Sequence, residues 1–257
     1  QDGDITVSNV LTAPASEFNL TLTADNDIIV NAAIDMSAGT GGLTLTAAGD
    51  VDINAAITLS TGANFESTGV AFDNTGGIIT VTTGAIDITH SGAVTIAAAL
   101  ASSTGAVNID STGSTIALNS AITTTSGNVT IDSSGTTTVA GGGDITTTST
   151  GSVNFGLAAL GGTVTTSGDV TTANANITFT PATTLGAAVA LVSAGGTITF
   201  TGDLSGTFDL SLTAGAGHIN FDSTVGGGDD LADITIVSAT NVIADAAFSA
   251  ASIDQTT

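Results

Sequence analysis

NLTLTADNDIIVNAAIDMSAG (residues 19–39) and GLTLTAAGDVDINAAITLSTG (residues 42–62) are two copies of one repeat, offset by 23 positions. They share LTLT, the aspartates at positions 27 and 50, and the whole of NAAI. Each copy holds three short apolar segments, separated by corners rich in Gly, Asn and Asp, which accept turn conformations at little steric cost. A repeat of this length predicts a solenoid, and three segments per repeat predict a roughly triangular cross-section.

The same register continues along the chain. Ten segments, spaced 21–24 positions apart, read apolar, polar, then again large and apolar in nine of the ten; they begin at Leu20, Leu43, Phe65, Ile86, Val107, Val129, Val153, Ile177, Ile198 and Ile219. This alternation is the signature of half-buried strands. We therefore predict an all-β fold in which residues 1–257 form a single parallel β-helix of about 10–11 coils of roughly 22 residues, with almost no α-helix. We expect it to be right-handed, because parallel crossover connections strongly prefer that hand.

An aromatic column is predicted inside the coil. The second apolar position of four successive segments is occupied by Phe155, Phe179, Phe200 and Phe221. Alternation directs these rings inward, at a coil spacing that suits aromatic pairs. We interpret them as core packing rather than as a platform for a ligand.

Charge excludes several classes of function. The chain has no Lys or Arg, 23 acidic residues and two His, for a formal net charge of −23. Nothing can neutralise phosphates, so neither nucleic acid nor anionic lipid is an expected partner. No apolar stretch approaches the roughly 20 residues of a spanning helix, so we expect no membrane insertion. Hydrophobic residues make up 42% of the chain, which indicates a buried core rather than disorder.

The missing Lys and Arg have three interpretations. The first is protease resistance, because a trypsin-like protease finds no cleavage site, which suits a protein outside the cell. The second is that an all-acidic surface prevents association until dissolved ions screen its charge. The third is that the composition of the repeat drifted without selection for function. There is no Cys, hence no disulfide. The chain starts at Gln1 rather than Met, from which we expect a mature exported protein, secreted or at the cell surface.

Acidic pairs are the candidate ligands for a cation. The repeat places Asp27 beside Asp50 and Asp110 beside Asp132, one coil apart, and a third pair is formed by Glu66 and Asp87. Like charges at such a distance repel. Calcium binds several carboxylate oxygens in flexible geometry and is the natural cofactor candidate. Its candidate ligands are Asp27, Asp50, Asp110 and Asp132. Solvated acids with diffuse counterions are the alternative, and no other cofactor is expected.

Catalytic patterns fail on inspection. Polygalacturonase-like β-helical enzymes carry a double Asp, a Gly-His-Gly and an Arg-x-Lys, against which this chain offers only Asp229-Asp230 and Gly217-His218. Here the histidine precedes the acids, and the basic element cannot exist. We expect no enzyme, and we interpret His90 and His218 as surface residues.

The repeats of this chain resemble those of one class of proteins. The runs 42–62, GAVNIDSTGSTIALNSAITTTSGNVTID (105–132) and GTITFTGDLSGTFDLSLTAGAGHINFDSTVGG (196–227) are similar to repeats of filamentous-haemagglutinin-like and other giant bacterial surface proteins. The resemblance implies right-handed β-helical rods that are exported and act in adhesion, biofilm or surface architecture. It implies no functional residue.

The terminal coils predict self-assembly. GDITVSNV (3–10) is echoed by ADITIVSATNV (232–242), and neither end shows a capping helix or a Lys-guarded edge. We expect the terminal coils, about residues 1–18 and 232–257, to join copies of this chain head to tail into an extracellular filament. The expected interface residues are Ile5, Val7, Val10, Ile234, Ile236 and Val242.

Other functions remain open. The rod could be an adhesin or surface-rod segment of a larger exported protein. A polysaccharide-active or an ice-binding β-helix is a less favoured alternative; ice binding needs one regular Thr array. Thr-x-Thr motifs occur at positions 21 and 23, 44 and 46, 178 and 180, and 199 and 201, but acidic and amide residues between 66 and 132 interrupt that face.

Overall fold

A computed structural model describes residues 3–156 and 161–256, and these residues form an all-β solenoid of about 11 coils of about 22 residues. The predicted fold class is therefore confirmed, while the handedness of the coil stays a prediction. The described residues contain no helix, and hence none that could cross a membrane.

Each coil contributes up to three short strands. The first four coils contain β1 (Ile5–Val7), β2 (Leu11–Thr12), β3 (Leu20–Ala24), β4 (Ile28–Val30), β5 (Ile34–Met36), β6 (Leu43–Ala47), β7 (Val51–Ile53), β8 (Ile57–Leu59), β9 (Phe65–Gly69), β10 (Phe72–Asp73), β11 (Ile79–Val81) and β12 (Ile86–His90). The next four contain β13 (Val94–Ile96), β14 (Leu100–Ser102), β15 (Val107–Ser111), β16 (Ile116–Leu118), β17 (Ile122–Thr124), β18 (Val129–Ser133), β19 (Thr136–Val139), β20 (Ile145–Thr147), β21 (Val153–Phe155), β22 (Thr163–Thr166), β23 (Val170–Thr172) and β24 (Ile177–Phe179). The last coils contain β25 (Thr183–Leu185), β26 (Val189–Val192), β27 (Ile198–Phe200), β28 (Leu204–Ser205), β29 (Leu210–Thr213), β30 (His218–Phe221), β31 (Leu231–Ser238), β32 (Asn241–Ala244) and β33 (Ala250–Gln255).

Three parallel sheets form the three faces of the rod. The first face runs from β1 through every third strand to β28, and isolated bridges at Val225 and Phe248 continue it. The second face runs from β2 to β29 and then adds β31 and β33. The third face runs from β3 to β30 and ends with β32. Because each strand pairs with its equivalent one coil away, the side chains stack in columns along the rod.

Alternation decides which columns are buried. In a typical strand such as β7, Val51 and Ile53 are inaccessible to solvent, whereas Asp52 between them points outward. The inward columns of the three faces meet in one hydrophobic cluster that extends along the rod, from Val7 to Ile236. Burial of this continuous apolar column stabilises the coil, since the stacking of neighbouring coils provides the core.

The aromatic column is in the core, as predicted. Phe155, Phe179, Phe200 and Phe221 stack nearly parallel, with successive ring centroids 4.6, 5.0 and 5.6 Å apart. Phe248 meets Phe221 edge to face at 5.2 Å and ends the column. The four stacked rings are at most 1% exposed, so they are packing residues.

Glycines at one corner allow the coils to approach. Gly84, Gly105, Gly127 and Gly151 are equivalent positions in successive coils. A Cβ atom on Gly105 or on Gly127 would lie 1.8 Å from the carbonyl oxygen of the glycine one coil before it. Buried hydroxyls complete this corner: Thr124 Oγ1, for example, donates to the Gly127 carbonyl at 2.6 Å. The tight corner therefore requires glycine for space rather than for an unusual backbone angle.

Candidate functional site

The acidic pairs lie where the repeat predicted them. Asp110 and Asp132 are direct partners in the pairing of β15 with β18. Asp27 and Asp50 stand immediately before the paired strands β4 and β7. However, the described His, Asp and Glu residues include no group of three or more that could hold a metal ion. Calcium binding therefore stays a prediction, without a cluster to support it.

Asp27 and Asp50 have a structural task. A carboxylate oxygen of Asp27 accepts the backbone N–H of Asp50 at 2.8 Å, and Asp50 in turn accepts the backbone N–H of Ala71 at 2.9 Å. Asp4 begins this ladder by accepting the N–H of Asp27 at 3.3 Å. Each carboxylate thus satisfies an amide at the corner that precedes a strand, where no strand partner is available.

Asparagine accepts backbone amides in the same way at the corner before the third-face strands. Asn64 accepts the N–H of Ala85 at 3.0 Å, and Asn176 accepts that of Thr197 at 2.9 Å. An amide oxygen and a carboxylate oxygen share only their ability to accept, so charge is not what these positions need. Sequence reasoning missed this role, although Asp or Asn just before an apolar segment recurs visibly in the repeat.

Asp110 is the acid of the third face whose ionised form is disfavoured by its surroundings. Burial raises the pKa of Asp110, and the carboxylates of Asp132 and Asp87 raise it further. Asn108 Nδ2 donates a hydrogen bond to the Asp87 carboxylate at 2.5 Å, which offsets part of the repulsion between Asp87 and its acidic neighbours. The column of acids therefore destabilises this face at neutral pH, in keeping with the expected repulsion between like charges on adjacent strands.

His90 is buried, which corrects the interpretation of it as a surface residue. Its side chain is 1% exposed, and its Nε2 lies 3.0 Å from the hydroxyl of Ser67, which is equally buried. The Phe72 ring packs against it with centroids 5.4 Å apart. His90 fits here because Gly69, one coil before it, has no side chain: a Cβ there would lie 3.1 Å from the imidazole.

Burial lowers the pKa of His90 to about 4. Its Nδ1 has no hydrogen-bond partner, and the effect of burial exceeds the stabilisation that Asp50 and the backbone of Ala71 and Val70 offer to a protonated ring. The Ser67–His90 pair thus fills the gap where the third-face core column holds a small polar residue. The missed signal is Ser67 itself, the single non-apolar residue at its position in the ten segments. His218, by contrast, is partly exposed beside Asn241, at 3.3 Å.

The expected interface residues separate into two groups. Ile5 and Val7 lie in β1, the outermost strand of the first face, where Val7 is buried at 7% exposure; Val10, 63% exposed, precedes β2. Val242, 39% exposed, lies in β32, the last strand of the third face. These side chains are at the two ends of the described rod.

Ile234 and Ile236 have a different environment. Both are in β31, between β29 and β33, and they are 0% and 4% exposed. The echo between 3–10 and 232–242 thus falls on different faces, the first for Ile5 and the second for Ile234. Strand β33 pairs with β31 and covers these two residues. The repeat pattern in the sequence did not predict this strand. Other exposed apolar residues at the ends are Leu11, Phe18, Ile243 and Ile253.

The three continuous parallel sheets are compatible with β-helical repeat proteins as a class. The chain matches no protein-family model, no curated protein and no solved structure.

Proposed function

We propose that this chain is an exported structural rod whose copies join head to tail into an extracellular filament. The observation that supports it is the open edge of the parallel sheets at each end of the described rod. Such an edge offers unpaired N–H and C=O groups to another strand. A core cross-section, rather than a polar cap, accompanies these groups at both ends.

The first end exposes an apolar pocket. Leu11, Pro14 and Phe18 line it with Ile34 and Met36, and its volume is about 210 Å³. Its wall is the end of the hydrophobic core, beside the outer edges of β1, β2 and β3. A coil of another copy placed here would bury these side chains and pair the three edges.

The second end offers a complementary surface. Val242 and Ile253 are exposed on β32 and β33, and Phe248 is partly buried at the end of the aromatic column. All strand pairings within the rod are parallel, so the two ends present opposite edges of the same sheets. A head-to-tail contact continues each ladder, and because it does not close on itself it propagates.

Charge sets the conditions for this contact. Asp4 and Glu17 belong to the first end, and Asp245 and Asp254 belong to the second. Two acidic ends repel, and dissolved ions screen that repulsion over about 8–10 Å at ionic strengths near 0.1 M. We therefore expect association to increase with salt. The absence of Lys and Arg, which leaves trypsin-like proteases no site, supports a location outside the cell.

A rod segment within a longer surface protein is the second candidate. The unbroken pairing from β3 to β32 on the third face favours it, since further coils would continue the same ladders. In that case the ends would join coils of the same chain, and isolated copies would be shorter spacers that present other domains.

Electron microscopy and sedimentation velocity test the proposal, over a range of protein concentration and salt, with and without calcium. The informative variant is Val242→Asp, which places a carboxylate at the end of the core, opposite another acidic end. The matched control is Ile78→Asp, because Ile78 is 51% exposed on the side of the rod. We expect filaments from the parent protein and from the control but not from Val242→Asp. Discrete rods of about 50 Å, the length of eleven coils at the usual strand spacing, under every condition would reject assembly.

A further inference from the structure

The second face carries two outward columns of small hydroxyl residues over six successive coils. The first column is central in its strands and contains Thr58, Thr80, Ala101, Thr123, Thr146 and Thr171, paired in register from β8 to β23. The second column, two positions later, contains Ser60, Thr82, Ser103, Thr125, Thr148 and Ala173. Ten of the twelve positions are Thr or Ser, and the array does not coincide with the interrupted Thr motifs of the third face.

This array contains no charge, in a chain with 23 acidic residues. The second-face strands β8, β11, β14, β17, β20, β23, β26 and β29 include no Asp or Glu. The third face, by comparison, carries Glu66, Asp87, Asp110 and Asp132 in four successive strands. The first-face strands from β13 to β28 also lack acids, so the array is distinguished by its two hydroxyl columns and not by neutrality alone. Acids border it on its own face: Asp35 in β5 pairs with Thr58, and exposed Asp144 and Asp169 stand directly before β20 and β23.

The hydroxyls of the central column face solvent. Within the described residues, Thr80, Thr123 and Thr146 direct their hydroxyls to no protein group, whereas Thr82 donates to the Leu59 carbonyl at 3.2 Å. Threonine is stiff about its first side-chain bond, so a column of paired threonines holds hydroxyl and methyl groups in regular rows. A shallow trough of about 260 Å³ runs between the two columns.

We propose that this face binds ice. Paired strands set the repeat along the rod at about 4.8 Å, and alternate residues of a strand are about 6.6 Å apart. Oxygen atoms on a prism plane of hexagonal ice form rows whose two repeats are of comparable size. Rows of hydroxyls and methyls with these two spacings hold waters in positions that continue into the lattice, and the trough accommodates one file of them.

Two further features favour ice over a protein partner. An ice lattice is uncharged and excludes dissolved ions, so the neutral array meets it without the counterions that accompany the acids of β9, β12, β15 and β18 on the third face. A dry contact with a second copy would bury hydroxyls that have no acceptor in this chain, and each buried unpaired hydroxyl is costly. Ordered water satisfies these groups. The inference does not depend on head-to-tail assembly, since a single rod displays the whole array.

The test is thermal hysteresis and inhibition of ice recrystallisation by the purified full chain. Thr123→Tyr with Thr146→Tyr places two bulky side chains on adjacent coils of the array. The matched control is Thr178→Tyr with Thr199→Tyr, also on adjacent coils but on the third face. Tyrosine favours strands, so both variants keep the fold, and circular dichroism checks this.

We expect the parent protein and the control to shape ice and to show thermal hysteresis, and the second-face variant to lose most of both activities. Two results would overturn the proposal. One is a parent protein without hysteresis or ice shaping at millimolar concentration. The other is equal activity in the two variants. A second-face variant that changes only the sedimentation coefficient, in a protein without ice activity, would assign the face to lateral self-association instead.

Discussion

The carboxylate of Asp27 accepts the backbone N–H of Asp50, one coil further along the rod, at 2.8 Å. This contact converts an apparent pair of repelling acids into a continuation of the coil-to-coil hydrogen bonding. It also explains why Asp50 and Asn64 can play the same part at two different corners, where only an acceptor is required.

Substitutions at Asp27 separate acceptor from charge. Asp27→Ala leaves the Asp50 amide without its partner and is expected to lower the free energy of unfolding by about 0.5–1.5 kcal/mol. Asp27→Asn keeps an acceptor and is expected to change the free energy of unfolding by only a few tenths of a kcal/mol. Urea unfolding followed by circular dichroism measures both. Equal losses in the two variants would mean that the charge, and not the hydrogen bond, is what matters.

Asp110→Asn is expected to stabilise the protein. The folded-state pKa of Asp110 is raised by burial and then by Asp132 and Asp87, so the native state holds its proton more tightly than the unfolded chain. Stability from this group is therefore present at low pH and is lost as pH rises through the raised pKa. At neutral pH the neutral amide should add about 0.2–1 kcal/mol, the range for removing a like-charge cross-strand pair.

Thermal melts between pH 4 and 7 check this expectation. The gain from Asp110→Asn should grow with pH. Asp230→Asn, on an exposed loop, removes one charge without that environment and serves as the control. If both variants gained equally, general repulsion within the chain would account for the effect.

Acid is expected to destabilise the coil around His90. The folded-state pKa is lowered from 6.5 to about 4 by burial, so the unfolded chain takes up a proton before the native state does. Stability from this group is complete above about pH 6.5 and declines as pH falls towards 4. At about 1.4 kcal/mol per pKa unit the full loss is about 3 kcal/mol.

The double variant Ser67→Ala, His90→Leu isolates this effect. It removes the titrating ring together with the hydroxyl that the ring contacts at 3.0 Å, so no buried polar group is left alone. Between pH 7 and 4.5 the parent protein should lose more stability than the variant, whose remaining acids titrate alike. Parallel losses in the two proteins would refute a contribution from His90, and an NMR titration of the ring measures its pKa directly.

Gly105→Ala is expected to destabilise the rod by about 1–3 kcal/mol, the usual cost of overpacking. The added methyl would lie 1.8 Å from the Gly84 carbonyl oxygen, so two coils must separate locally. Gly228→Ala, where no atom lies within 4 Å of the new Cβ, is the control. Thermal unfolding compares the two, and a neutral Gly105→Ala would show that the corner yields at little cost.

How far the sequence was informative differs from element to element. The strand at Val129 and the aromatic column from Phe155 to Phe221 were predictable because alternation and a repeat of 21–24 residues are local patterns. The role of Asp27 was not predicted, since whether a carboxylate meets a cation or a backbone amide depends on the neighbouring coil. The prediction that His90 lies on the surface was wrong for a similar reason. Its burial depends on Gly69 and Ser67, which precede it by one full coil.

The sequence by itself determined the period, the inward and outward positions, and an all-β coil with one continuous core, because these follow from alternation within a strand and repetition along the chain. Only the tertiary structure decided which outward residues share a face. Stacking brings Thr123 and Thr146, 23 positions apart, side by side and keeps the third-face acids off their surface. It also covers Ile236 with β33 while leaving Val242 at an open edge. These outcomes depend on contacts between coils, which no single segment of sequence specifies.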